Sequence, residues 1–121
     1  MRDDLSGAAL LLAAVVEEVD EQRHIVRVLN KAESEYRLAL KFSPDDLKLH
    51  EALADTLYHA RHYSPAIQAW EEALELSPND PLIYASLAAS HSQLGHRTET
   101  LRYIQLAEDQ ATDQSAILLA S

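Results

Sequence analysis

No cysteine occurs in the 121 residues. Disulfides, iron–sulfur clusters, thiolate-held zinc and cysteine nucleophiles are therefore excluded. Glycine occurs twice, at Gly7 and Gly95, so no glycine-rich loop exists to cradle a phosphate. There are four prolines, and Val, Ile and Thr are few beside Leu and Ala. That balance favours helix and leaves little material for a sheet. Positive charge is short as well: ten Lys and Arg stand against twenty Asp and Glu, a formal net charge of −10. Nucleic-acid binding begins with neutralised phosphates, so no nucleic-acid partner is expected. Long apolar runs are also missing. The run from Ala8 to Val16 falls short of the ~20 residues that span a bilayer. Its flank, Met1-Arg2-Asp3-Asp4, is net negative where a signal peptide carries positive charge. The run reads as a buried helix, and the chain as soluble, with no membrane contact and the cytoplasm as its default compartment. What the chain does have is 47% hydrophobic residues, enough for a core.

The sequence overlays itself at a shift of 34 residues. Ser43-Pro44 falls on Ser77-Pro78, Asp46 on Asp80, Leu49 on Ile83, and Leu53-Ala54 on Leu87-Ala88. Ala32, Ala66 and Thr100 align, as do Tyr36, Trp70 and Ile104, and then Ala39, Ala73 and Ala107. Within each period the signals are helical. Apolar residues at Leu49, Leu53, Ala54 and Leu57 follow a period near 3.6. Asp46 and Asp80 are placed as N-caps, and Pro81 takes a first helical position, where its missing N–H costs nothing. Ser64-Pro65 marks the start of a second helix bearing Ala66, Ala69, Trp70, Ala73 and Leu74 on one face. Pro78 closes it. Gly95 stops the helix from Pro81 in the manner of a left-handed C-cap, and Thr98 caps a helix through Ala111.

This period and its small-residue sites resemble the tetratricopeptide repeat, a 34-residue helix–turn–helix unit. The best copy runs from Leu47 to Asp80, where Leu53-Ala54, Ala66, Trp70, Ala73 and Pro78 match. In it Leu57 and His50 replace the motif's tyrosine and tryptophan. The copy from Pro81 matches at Tyr84, Leu87, Ala88 and Gly95, but has Thr100 for the alanine and Thr112 for the proline. An earlier copy matches through Ala32, Tyr36, Ala39 and Pro44 in its second helix. Its first helix would place Asp20 and Arg23 at small and aromatic sites. The polar stretch Asp20–His24 either breaks two helices or is the exposed part of one long one; a break is the expectation. The resemblance implies an all-α fold of antiparallel helix pairs stacked as a right-handed solenoid in a single domain, 1–121. Its parts would be a degenerate repeat over 5–44, repeats over 45–78 and 79–112, and a partial capping segment over 113–121. Antiparallel helices at close range need small residues where backbones approach, and Ala54, Ala66, Ala73, Ala88 and Ala107 are those contacts.

No catalytic constellation stands out, so no enzyme is expected. The acid pairs Glu17-Glu18, Asp45-Asp46 and Glu71-Glu72 are adjacent, and neighbours on a helix diverge by about 100°. They suit solvated faces and helix N-termini. Six histidines raise a metal reading. His59 and His62 lie three apart, and His96 repeats the position of His62. No H-E-x-x-H pattern accompanies them, so they read as exposed turn residues, and no metal or cofactor is expected. His50 and His91 fall on partly buried faces and read as packed, hydrogen-bonded side chains.

The resemblance further implies that the first helix of each repeat lines a concave groove that holds a partner's peptide. Carried over, the groove would present Lys48, Glu51, Asp55, Tyr58 and His59, then Leu82, Ala85, Ser86, Ala89 and Gln93, with Glu17, Glu21 and His24 from the degenerate copy. Glu51 and Asp55 stand where the family's chaperone-carboxylate clamp would want Lys and Asn, so that role is not carried over. The expected function is a non-catalytic protein–protein interaction module whose partner segment is basic and partly apolar. The alternative is a self-assembling scaffold that oligomerises through an exposed solenoid end at Ile117, Leu118 and Leu119.

Overall fold

The computed structural model describes the backbone of residues 2–120 and the side chains of residues 7–113. The described residues form five helices: α1 (Arg2–Phe42), α2 (Leu47–His59), α3 (Tyr63–Leu76), α4 (Pro81–Gln93) and α5 (Arg97–Ala120). No strand occurs among the described residues, and no helix there is long and apolar enough to cross a membrane. Each helix packs on the next in the chain, α1 on α2, α2 on α3, α3 on α4 and α4 on α5. The sequence period reappears as geometry: α2 and α4 start at the aligned Leu47 and Pro81, and α3 and α5 at the aligned Tyr63 and Arg97. This is a helical solenoid built of repeated helix pairs.

Local chemistry explains the boundaries. The Asp46 carboxylate accepts a hydrogen bond from the Leu49 N–H at 3.3 Å, and that of Asp80 accepts from Leu82 N–H at 2.9 Å. Each satisfies one orphan donor of its helix. α2 and α4 close in the same way. His62 N–H donates to the Leu57 carbonyl at 2.9 Å and His96 N–H to that of His91 at 3.0 Å. The residue between cap and closing bond must then be left-handed, and Arg61 has φ 64° where Gly95 has φ 75°. This paired-bond ending is the Schellman motif. A side chain at positive φ costs about 1–2 kcal/mol, and glycine's extra unfolded-state freedom returns part of that. Arg61→Gly is therefore expected to raise stability by about 0.5–1 kcal/mol, read as a higher melting temperature.

Two starts differ from expectation. α3 begins at Tyr63 with His62 as its cap and no side-chain cap bond. Pro65 lies in the first turn, where its missing N–H has no intrahelical role. α5 begins at Arg97, so Thr98 is inside the helix, which continues past Ala111.

The core runs through the stack as Leu53, Ala54 and Leu57 of α2, Ala66, Ile67, Trp70 and Ala73 of α3, Ile83, Tyr84, Leu87 and Ala88 of α4, and Tyr103 of α5. The small residues sit where backbones meet: Ala54, Ala66 and Ala73 are fully buried. Ala107 of α5 is only half-buried.

The largest departure is α1. Residues 2–42 form one helix, about 60 Å long at 1.5 Å per residue, and no break occurs at Asp20–His24. Neither Gly nor Pro lies between Ala8 and Phe42. A polar stretch alone does not end a helix whose surroundings are solvent on every side. Only the C-terminal part, through Tyr36 and Leu40, packs against the core. The run Ala8–Val16 is consequently exposed rather than buried, with Leu10 72% and Leu11 71% accessible. Without a turn, nothing folds the run back onto the body.

Candidate functional site

The face formed by α2 and α4 gathers most of the expected groove. Asp55, Tyr58 and His59 of α2 meet Ser86 and Ala89 of α4 around a cavity of about 160 Å³. Trp70 of α3 forms part of its lining. The sequence placed Trp70 in the packing motif only, because a buried aromatic at a helix-pair site shows no sign of also reaching the groove. Gln93 Nε2 donates to the Tyr58 hydroxyl at 3.4 Å, tying α4 to α2. The Tyr58 ring meets His59 and Tyr63 edge-on, at 5.8 and 5.4 Å between centroids. His59 Nδ1 lies 2.8 Å from the Asp55 carbonyl oxygen and 3.5 Å from its carboxylate. Ser86 Oγ donates back to the Leu82 carbonyl at 2.9 Å, which keeps the hydroxyl on its own helix.

Ala89 also borders a second, larger trough of about 380 Å³ between α4 and α5, lined chiefly by Ala85, Ala88, Ser92, Thr100, Ile104 and Ala107, with Glu108 at its side. The two depressions therefore form one continuous surface. Lys48, Glu51 and Leu82 lie outside both depressions, nearer the N-terminal ends of α2 and α4; Lys48 and Leu82 are exposed and Glu51 is half-buried. Glu17, Glu21 and His24 are exposed on the projecting part of α1, and α1 does not turn there to carry them into a repeat. The side chains of Ile117, Leu118 and Leu119 lie outside the described residues.

The histidines divide differently from their sequence spacing. His50 is buried, with Nε2 2.6 Å from the Pro44 carbonyl oxygen and Nδ1 3.3 Å from a Glu72 carboxylate oxygen. His91 is buried and shares a hydrogen bond with His96, Nδ1 to Nδ1, at 2.9 Å. Its ring stacks on Tyr103, which stacks in turn on Tyr84. Both histidines are thus packed and bonded, as expected. The cluster that could hold a metal is not His59, His62 and His96 but His91, His96 and Glu99, whose ligand atoms lie within 4.8 Å of one another.

Two features oppose a cation there. The Nδ1 atoms of the two rings are engaged with each other in the His91–His96 bond, and Arg102 adds positive potential. Zinc or nickel at stoichiometric concentration is accordingly expected to leave the melting temperature of untagged protein unchanged. A rise abolished by His91→Ala or His96→Ala would establish a metal site, since a ligand specific to the folded state must stabilise it.

Burial, followed by the neighbouring His96, holds the His91 pKa below its ordinary 6.5, against the opposing pull of Glu99 and Glu71. The unfolded chain therefore takes up this proton at higher pH than the folded one does. Stability from this group is present above about 6.5 and is lost as the pH falls toward the depressed folded value. Melts recorded downward from pH 7 should show that decline, and His91→Gln should flatten it.

The family model for the TPR repeat matches residues 62–95. Residues 62–95 carry a tetratricopeptide repeat. That matched tetratricopeptide segment comprises α3 and α4, which carry Trp70, Ser86 and Ala89 of the surface just described. No curated protein sequence matches the chain. Among solved structures, MamA MSR-1 C2 superposes with a TM-score of 0.69 at 22% identity, over 74% of this chain and 52% of that one. MamA AMB-1 C2221 gives 0.66 at 23% identity, over 70% and 51%. These likenesses show the shared helical-repeat fold, and the chain spans about half the length of each of those structures.

Proposed function

We propose that the chain is a non-catalytic interaction module that holds a basic, partly apolar helix of another protein on the α2–α4–α5 surface. The carrying observation is a face left open among the described residues. In the α2/α3 pair, Ala66, Trp70 and Ala73 are all buried, and α3 is packed against both α2 and α4. Their counterparts one period later are Thr100, Ile104 and Ala107, which line the open trough, and Ile104 is 41% exposed. A face that accommodates a helix in one pair is shaped for a helix in the next. A partner's amphipathic helix laid there uses the recognition mode in which an apolar face enters a groove.

Charge selects the partner. Asp55 lies on the α2 side and Glu108 on the α5 side of this surface, with Glu51 one helical turn before Asp55 on α2. Residues 49–121 carry ten carboxylates against three Lys and Arg. Cationic segments are steered toward such a field and anionic tails are repelled. The test is affinity capture from lysate with the parent chain and with Glu51→Lys/Asp55→Lys, followed by titration of a synthetic copy of the captured segment. A basic segment that binds the parent and not the variant supports the reading. An acidic partner, or equal binding by both chains, overturns it.

A further inference from the structure

The projecting part of α1 carries a pattern that the repeat architecture does not use. Ala8, Leu12, Val15, Val19, Gln22, Val26 and Leu29 recur at alternating spacings of three and four residues. That is the a/d seam of a heptad, with Leu12, Val19 and Val26 at a and Ala8, Val15, Gln22 and Leu29 at d. Continued toward the C-terminus, the same stripe reaches Tyr36 and Leu40, where the body covers it. From Ala8 to Val26 it is open: Leu12 is 66% exposed, Val15 56% and Val26 52%. We propose that this segment pairs with the same segment of a second copy as a parallel, in-register, two-stranded coiled coil.

Two further observations select this occupant. The first is shape. Val19, Gln22, Arg23 and Val26 border one concavity, flanked by Glu18 and Arg27. Positions a, d, e and the next a are the four-residue hole that receives a d-position knob from a facing parallel helix. In register, that knob is the second copy's residue at position 22. The depression on the other flank is lined by Asp20, Glu21, His24 and Ile25, three ionisable side chains and one apolar one, so it lacks the run of apolar positions that a seam needs. Valine at successive a positions favours two strands over three or four.

The second is charge. In a parallel pair, each g residue faces the e residue five positions further along the other helix. Glu18 at g then faces Arg23 at e, twice by symmetry, while Leu11 faces Val16 and extends the apolar contact. An antiparallel arrangement juxtaposes g with g and e with e, and brings Glu18 opposite no cation. Parallel pairing also sets both bodies at the same end of the coil. Each dimer would then present two copies of the α2–α4–α5 surface, raising avidity for a partner with repeated sites.

The full chain, sedimented at tens of micromolar, is expected to be a dimer. Val19→Asp/Val26→Asp places charge in the seam and should give a monomer whose body stays folded, because the core lies elsewhere. Glu18→Arg should raise the dissociation constant about tenfold by setting like charges opposite. The swap Glu18→Arg/Arg23→Glu should restore it to within about threefold. The absence of cysteine makes the register directly readable. Gln22→Cys should cross-link to a covalent dimer on mild oxidation, and His24→Cys, on the outer face, should not. A monomeric parent, a dimer that survives Val19→Asp/Val26→Asp, or a dimer in which Gln22→Cys fails to cross-link overturns the proposal.

Discussion

Ala54→Leu or Ala88→Leu is expected to destabilise the chain by roughly 1–3 kcal/mol, the largest effect of any conservative apolar change considered. Ala54 is fully buried on α2, and Ala66 and Ala73 are equally buried on α3, which packs against it. Ala88 is 4% exposed on α4. With no volume to spare, the added carbons must push helices apart or take strained rotamers. The control is Glu75→Ala on the exposed face of α3, expected to stay within about 0.5 kcal/mol. Glu72, though also exposed, is a poorer control because its carboxylate reaches His50. Thermal or urea melts rank the variants. A larger loss at Glu75 than at Ala54 would mean that the small-residue contacts do not set the helix spacing.

The second large effect concerns binding. Glu51→Lys with Asp55→Lys is expected to abolish capture of a basic partner segment while leaving the melt of the free protein unchanged. A single exposed ion pair contributes only about 0.2–1 kcal/mol. Reversing two charges both removes attraction and sets like charges against the partner, which costs several kcal/mol at an interface. Folding is insensitive by comparison. Asp55 is exposed, and its contact with the exposed His59 is a surface pair. Raising the salt should weaken parental binding, because exposed charges are screened within about 8 Å at physiological ionic strength. Salt-independent affinity would indicate an apolar anchor around Ile104 and Ala89 instead.

Helix identity and phase were legible because they depend on neighbours a few residues apart. Asp46, Asp80 and Gly95 act as caps where their side chains or dihedral freedom demand it, and the 34-residue overlay anticipates the pairing of α2 with α3 and α4 with α5. Thr98 and Ser64 were less informative. A hydroxyl near a helix start suits a cap or a first-turn position equally well, and the backbone turn at His62 or His96 decides between them. The α2–α4 depression follows the same rule: Asp55, Tyr58, Ser86 and Ala89 converge because helices in one phase present the same face. Trp70 was hidden by its own burial.

Sequence alone thus determined an all-helical chain, its repeat period, its acidic character and the small residues at which helices meet. All of these are properties of composition or of spacing along one helix. Tertiary structure alone decided that residues 2–42 run on as a single helix, exposing Ala8–Val26. It alone brought His91, His96 and Glu99 together. The reason is the same in both cases. The stretch Asp20–Val28 has neither a strong stop signal nor a strong reason to continue, so its course rests on whether folding back would bury enough surface to offset breaking the helix. The histidine cluster forms because the turn at Gly95, with φ 75°, folds the start of α5 back beside the end of α4, an outcome that no spacing along one helix encodes.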